Sequence, residues 1–264
     1  MKEAVAEQSA EQAKTTEQLL PLDLQERAVM VGKGSHKTTH FFRRLKDKDS
    51  EGFSSRVDTE LEQRDAEVIR TVNTQTACLW LYRNAIVRVE GYQLEDGRPI
   101  TELANWKERI PRPHAIRAVN LLTDISSSRP EFGNVIVSEG DLVVLDALWT
   151  ADESGTGMRK YSGLKHYFAS ATADQQRRFD RTRNKAVIVG DRRRGRTIIP
   201  SSQQLFVSLY DELIRRVEGY SVGGRPLEGR DEIVREMDSF HKSVAARALF
   251  ESDIDENGDE GGEK

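Results

Sequence analysis

The residues best suited to chemistry are histidines, and four of the five occur as matched pairs. His40 and His166 are 126 residues apart, and His114 and His241 are 127 apart. His36 precedes His40 by four residues, but no glutamate-containing metalloprotease pattern surrounds the two. A single active site is normally asymmetric, so matched pairs favour shared packing over catalysis. We therefore predict no catalytic residue, no bound metal and no cofactor.

A glycine-rich segment invites comparison with phosphate-binding loops. Residues 32–39 read Gly-Lys-Gly-Ser-His-Lys-Thr-Thr. A phosphate loop needs Gly-Lys-Ser/Thr to open a helix whose N-terminal amides face the phosphate. The aromatic run that follows here predicts a strand instead, so the segment is interpreted as a polar loop.

The strongest local charge is an arginine-rich stretch between Arg177 and Arg196, with nine basic and two acidic residues. Its predicted hairpin turn would bring four guanidinium groups together, a geometry suited to phosphate or to an acidic protein. The candidate contacts are Arg177, Arg178, Arg192, Arg193, Arg194 and Arg196. A solvated turn, a protein contact and a nucleic-acid contact all remain open. The net charge of −4 argues against a dedicated nucleic-acid binder.

The elements that must position these residues occur twice. Residues 81–92 recur as residues 209–220 with eight of twelve positions identical, and the match extends to about 40–122 and 166–249. Two copies are too few for a solenoid. The sequence therefore predicts an internal duplication of a small unit. Its boundaries are 27–125 for the first unit and 126–250 for the second, with extra strands at 135–149.

Each unit has the pattern of an α+β fold, with an antiparallel sheet packed against helices on one face. An aromatic strand opens the unit, as at residues 40–45 and 164–168, and a short polar helix follows. A β-hairpin comes next, with Val57, Leu61, Val68 and Val72 as inward positions in the first unit. A helix then begins at Thr74 or Ser202, continues through Val89 or Val217, and is capped by a glycine. A last helix covers residues 113–122 or 230–250.

Both units retain the sequence Arg-Val-Glu-Gly-Tyr, which is predicted to lie at this helix end. An arginine near the C-terminal carbonyls is favourable, which gives a structural role. Arginine and tyrosine are also enriched at interface hot spots, which gives a functional one. The positions are Arg88, Glu90 and Tyr92 in the first unit, and Arg216, Glu218 and Tyr220 in the second.

Composition limits the class of protein. At 264 residues, with 37% hydrophobic and 32% charged residues, the chain can bury a core, and it lacks a membrane-spanning run of roughly 20 apolar residues. One cysteine excludes an intrachain disulfide and fits a reducing compartment. Residues 1–26 are polar and predicted to be partly disordered, and residues 251–264 form an acidic tail with seven carboxylates. We expect a cytoplasmic protein, or one carried in a virion.

The opening of each unit resembles the start of some tail assembly chaperones of tailed phages and related small virion-morphogenesis proteins. The resemblance lies in the aromatic strand and polar helix start at residues 41–49 and 167–176, each followed by Phe53 or Phe179. It implies a non-enzymatic protein that binds other phage proteins in tail or virion assembly. The alternative is a nucleic-acid-associated protein that uses the hairpin at 191–196.

Overall fold

The computed structural model describes residues 19–32, 37–64, 67–128, 140–151, 158–183, 187–189, 196–198 and 203–251. Within these ranges the chain has an α+β fold of helices and small, mainly antiparallel sheets, as the sequence predicts. None of the helices in these ranges is both long enough and apolar enough to cross a membrane.

A short strand, β1 (Leu20–Pro21), precedes the first unit. The first unit begins with two paired strands and ends with a helix. Its elements are β2 (Glu26–Val31), β3 (Thr38–Arg43), α1 (Asp47–Ser54), β4 (Asp58–Arg64), β5 (Glu67–Asn73), α2 (Gln75–Ala85), β6 (Ile86–Glu90), a 3-10 turn (Ile100–Glu102), α3 (Trp106–Arg109) and α4 (Arg112–Leu122).

The second unit follows a similar order. Its elements are β7 (Ile125–Ser128), β8 (Asp141–Ala151), β9 (Met158–Phe168), α5 (Ala173–Arg183), β10 (Val187–Val189), β11 (Arg196–Ile198), α6 (Gln203–Leu213), β12 (Ile214–Glu218), β13 (Tyr220–Val222), β14 (Arg225–Pro226), α7 (Arg230–Glu236) and α8 (Ser239–Glu251).

The central sheets of the two units have the same strand order and register. In the first unit β3 lies between β2 and β6, and Val29 is paired with His40. In the second, β9 lies between β8 and β12, and Val143 is paired with His166. Each unit also has its predicted hairpin, β4–β5 and β10–β11. The histidines therefore occupy equivalent places on the middle strand.

The long helix of each unit ends earlier than predicted. Helix α2 stops at Ala85 and α6 at Leu213, and a strand follows each without a loop. The β-branched residues of these strands suit extended backbone and pair with the middle strand, which wins over the helical periodicity. Gly91 and Gly219 do have positive φ, at 85° and 90°, but they follow strands and cap no helix.

Other local predictions need correction. Val72, predicted to face the core, is 49% exposed. The side chains of Leu61 and Val68 are not among those that the structure describes. The second unit, predicted to begin at residue 126, begins with β7 at Ile125, and this strand pairs with β8. The last helix of the second unit is broken into α7 and α8, because the chain is extended at Met237. Thr74 precedes α2, but Asn73 Oδ1 accepts the hydrogen bond from the Gln75 amide.

The N-terminal segment packs into the second unit, although it precedes the first. Strand β1 pairs in parallel with β13, and Leu20 and Leu22 are fully buried in the core of the second unit. The polar segment predicted for residues 1–26 therefore ends before Leu20. Residues 1–18, the extra strand at 135–137 and the acidic tail beyond Glu251 lie outside the described part of the chain.

Polar contacts hold the two units together along a seam. The buried Arg27 of β2 forms an ion pair with Asp238 at 3.1 Å, and Arg44 binds Glu236 at 2.9 Å. Helix α1 of the first unit packs on α6 and α8 of the second. Phe53 and Phe240 meet there with their ring centroids 5.7 Å apart. Each unit keeps its own hydrophobic core on either side of this seam.

Candidate functional site

The first unit holds four polar aromatic side chains in one hydrogen-bonded group, which we call the first quartet: His40, Tyr82, Tyr92 and His114. His40 Nδ1 lies 2.8 Å from the Tyr82 hydroxyl, and His40 Nε2 lies 3.2 Å from the Tyr92 hydroxyl. The Tyr92 hydroxyl also lies 2.7 Å from His114 Nδ1. The group thus joins β3, α2, the turn after β6 and α4.

The second unit repeats this arrangement in the second quartet: His166, Tyr210, Tyr220 and His241. His166 Nδ1 lies 2.9 Å from the Tyr210 hydroxyl, and Nε2 lies 2.7 Å from the Tyr220 hydroxyl. Tyr220 continues to His241 Nδ1 at 2.9 Å. All four residues match the first quartet at the sequence spacings of the repeat.

The hydrogen bonds of a quartet form one directional chain. A neutral imidazole has one N–H donor and one nitrogen acceptor, and a tyrosine hydroxyl both donates and accepts. If Tyr210 donates to His166, then His166 donates to Tyr220 and Tyr220 donates to His241; the opposite direction is equally complete. Neutral histidines therefore satisfy every bond of the chain.

Burial disfavours the charged form of three of the quartet histidines, His40, His166 and His241. Removal from water lowers the pKa of His40 and of His241 to about 4 each, and it holds the pKa of His166 well below its ordinary value. The neighbouring histidine in each quartet adds to the shift for His40 and His166. Burial also raises the pKa of Tyr210 and Tyr220 far above the usual range.

The two quartets differ in their access to solvent. Tyr220 is 1% exposed and His241 is fully buried, whereas Tyr92 and His114 are only partly buried. In the first unit Thr38 Oγ1 also lies 3.3 Å from both His40 Nε2 and the Tyr92 hydroxyl. The first quartet is therefore the one that a ligand or water can approach.

An ion pair from the seam lies against the second quartet. Asp238 raises the pKa of His241 and Arg27 lowers it, so both charges act on this imidazole, although burial outweighs them. Burial also lowers the pKa of Arg27 itself to about 10, partly offset by Asp238, so Arg27 remains charged at neutral pH. The first unit thus contributes a charged residue beside the second quartet.

A cleft of about 550 Å³ opens along the seam between α1 and α6–α8. Its described lining is mainly acidic and amide side chains, with neither histidine nor cysteine. The serine hydroxyls in it are engaged: Ser239 donates to Asp47, Ser50 contacts Gln203, and Ser208 donates to Glu212 at 3.2 Å. Two of these serines thus donate to carboxylates, and the third accepts from an amide side chain.

The Arg-Val-Glu-Gly-Tyr segments of the two units begin on strands β6 and β12 and do not lie at helix ends. Arg88 stacks over the Phe41 ring at 3.3 Å and pairs with Glu90 and with Glu26. Arg216 lies over Tyr167 at 3.9 Å and pairs with Glu218 at 3.3 Å. These arginines cover the outer face of each sheet by cation–π contact, while Tyr92 and Tyr220 turn inward to the quartets.

The arginine-rich stretch is only partly described. Arg177 and Arg178 lie on the exposed side of α5, and Arg178 binds Glu212 at 2.7 Å. The hairpin strands β10 and β11 pair as predicted, but Arg192, Arg193 and Arg194 between them, and the side chain of Arg196, lie outside the described ones. The structure does not bring Arg177 and Arg178 into contact with the quartets.

The histidine pairs can be read from the sequence, whereas Tyr82 and Tyr210 lie within the predicted helices with no predicted role in a site. The signal for them is that tyrosine occurs at the same place in both units, 128 residues apart, close to the spacings of 126 and 127 for the histidine pairs. No family model, curated protein or solved structure matches this chain.

We expect the tyrosine hydroxyls to contribute unequally to stability. Tyr220→Phe leaves two buried imidazole nitrogens without their partner and lowers the free energy of unfolding by about 2 kcal/mol. Tyr92→Phe, at the partly exposed quartet, costs less than about 1 kcal/mol because water replaces the hydroxyl. Urea denaturation of the two variants checks this, and equal losses would contradict the difference in burial.

Stability should fall in mild acid. A folded-state pKa near 4 means that the unfolded chain binds protons below pH 6.5 before the folded chain does. Each such histidine lowers the free energy of unfolding by up to about 2 kcal/mol between pH 6.5 and pH 5. Above pH 6.5 this loss is absent. Urea midpoints measured from pH 7.5 to pH 5 test the slope. His241→Gln should reduce it, and an unchanged slope in that variant would contradict the assignment.

Proposed function

We propose that this chain is a non-enzymatic protein-binding protein, built by duplication of one α+β unit, that acts in phage tail or virion assembly. The structural order of the units agrees with a duplication, since equivalent strands, helices and quartets recur along the chain. The proposed partners are other phage proteins, and the proposed location is the host cytoplasm or the virion.

The main support for the proposal is that the histidines and tyrosines, the residues best suited to chemistry, are bonded to one another. The histidines and tyrosines of both quartets bond to one another within the folded units. In the second quartet every member is almost fully buried, so these side chains order the core. Because the first quartet has the same geometry, its role is best explained by the same structural function.

The surface supplies features that suit protein contacts. Edge strands with free backbone groups are templates for association. The first unit also presents partly buried Trp80 and Trp106 near its surface, a residue type that is enriched at interface hot spots. These features support binding through backbone and apolar contacts.

The proposal is tested by separating binding from chemistry. A partner found by crosslinking the full chain in its cells of origin is purified and reconstituted, and light scattering should detect a stoichiometric complex. Tyr92→Phe and His114→Gln should retain this complex, because the open quartet is structural. The proposal fails if no purified partner reconstitutes and either variant abolishes a measurable reaction while stability is kept.

Nucleic-acid association is a second candidate, favoured by the exposed arginines of α5. Arg177 and Arg181 are exposed to solvent, and Arg178 forms an ion pair with Glu212. The matching helix α1 carries acidic residues instead, so the cationic face is particular to the second unit. In the sequence, α5 is followed by the hairpin segment that contains Arg192, Arg193, Arg194 and Arg196.

Salt dependence tests this candidate. If the α5 face contacts phosphates, DNA affinity at low salt falls steeply as salt rises, and replacing Arg177, Arg178 and Arg181 with alanine reduces the slope by up to about 3. Replacing the exposed Arg109, Arg112 and Arg117 of the first unit provides the matched control. Absence of binding at low salt, or equal effects of the two triple variants, eliminates the candidate.

A further inference from the structure

We propose that the backbone edge at residues 91–94 of the first unit is a docking site for an extended aliphatic segment of a partner protein. The segment would pair in parallel and place aliphatic side chains at alternate positions. This inference rests on the proposed protein-binding function and names the chemistry of its partner.

The second unit shows how such an edge is filled. Strand β1 runs parallel to β13, and Leu20 N donates to Gly219 O at 2.8 Å while Leu22 N donates to Ser221 O at 2.9 Å. The intervening Pro21 has no N–H, which this pairing does not need because the groups of that residue face away from β13. The occupant is thus an extended Leu-Pro-Leu segment held by main-chain bonds and two buried leucines.

The first unit has the equivalent backbone edge, but no described strand pairs with it. Gln93 forms a bridge with Pro99, flanked by hydrogen bonds from Leu94 N to Arg98 O at 2.8 Å and from Ile100 N to Tyr92 O at 3.2 Å. The residue between two such bonds directs its own amide and carbonyl to the opposite side. In the second unit that side of Ser221 is taken by β1 and Ser221 is 5% exposed, whereas Gln93 is exposed.

A glycine with positive φ precedes both edges. Gly91 and Gly219 have φ angles of 85° and 90°, and an added Cβ would lie 2.8 Å from Lys37 O at Gly91 and 2.9 Å from the Leu164 side chain at Gly219. The carbonyl acceptor that Gly219 offers to Leu20 therefore has its counterpart in Gly91. The two edges match in both their positive-φ entry and their cross-strand bonds.

An apolar surface lies beside the open edge. Tyr92 and Leu94 are partly buried at the rim of the first core, whereas the matching Tyr220 is 1% exposed beneath β1. An aliphatic side chain at the position of Leu20 would cover this rim, as it does in the second unit. Each buried leucine contributes about 1.5–3 kcal/mol, which offsets the ordering of a short segment.

The turn beside the edge sets a charge preference. In the second unit Asp23, next to Leu22, accepts a hydrogen bond from Gly223 N at 2.9 Å. The corresponding turn of the first unit carries exposed Glu95 and Asp96, and Arg98 forms an ion pair with Asp96 at 2.8 Å, so residues 95–98 have a net charge of −1. A partner for the first edge is therefore expected to carry a basic residue where β1 carries Asp23.

A peptide titration of the full, isotope-labelled chain tests the site. The probe copies residues 18–25 with lysine in place of Asp23, and it should shift the amide resonances of residues 91–94 in a saturable way. N-methylation of the probe at the position of Leu22 should weaken binding roughly tenfold, because one main-chain donor is lost. Gln93→Pro should weaken it similarly, and Gln93→Ala, which keeps the backbone donor, is the matched control.

Three outcomes would overturn the inference. The first is no shift at millimolar probe, and the second is a shift at residues 220–222 caused by displacement of β1. The third is a concentration-dependent dimer abolished by Gln93→Pro, which would make a second copy the occupant. A reconstituted partner complex that survives Gln93→Pro refutes this edge alone, whereas peptide binding without any reconstituted partner counts against the proposed function alone.

Discussion

The fold depends on one interaction made twice, an imidazole held between two tyrosine hydroxyls on the middle strand of a sheet. His40 and His166 are fully buried, and each nitrogen lies within hydrogen-bonding distance of a hydroxyl. A buried polar group without partners is costly, so the tyrosines must arrive from fixed directions. That requirement fixes the long helix, the turn after the following strand and the last helix relative to the sheet.

The two quartets share this geometry but have different surroundings, and the differences explain the asymmetry of the molecule. The N-terminal segment and the Arg27–Asp238 ion pair cover the second quartet. The corresponding edge of the first unit is exposed, so Tyr92 and His114 stay near solvent. A buried ion pair is weak support for stability, but it specifies how the units meet, because either charge alone would be left uncompensated.

Much of the repeat architecture can be read from the sequence. The α+β class, the aromatic middle strands, the two hairpins and the equivalence of His40 and His166 follow from periodicity and internal matching. The early end of α2 does not, because Ile86 and Val89 suit both a helix face and a strand facing the core. The placement of Leu20 and Leu22 also escapes prediction, since a local pattern contains no information about a partner strand two hundred residues away.

The quartets fall between these cases. Four matched residue pairs are visible in the sequence, but only folding brings Tyr82 and Tyr92 to the His40 imidazole and His114 to Tyr92. The arginine-rich stretch illustrates the opposite limit, because its charge is obvious while its central residues lie outside the described structure. Charge alone does not identify what such a stretch contacts.

The central claim is that the quartets are hydrogen-bond chains that order the two cores, with His40, His166 and His241 held neutral by burial. The most direct test is an NMR titration that follows the imidazole nitrogens of His166 and His241 in the folded protein. The account predicts that both rings stay neutral, each in a single tautomer, from pH 7.5 down to pH 5. Protonation of both rings near pH 6.5 with the fold intact would contradict it.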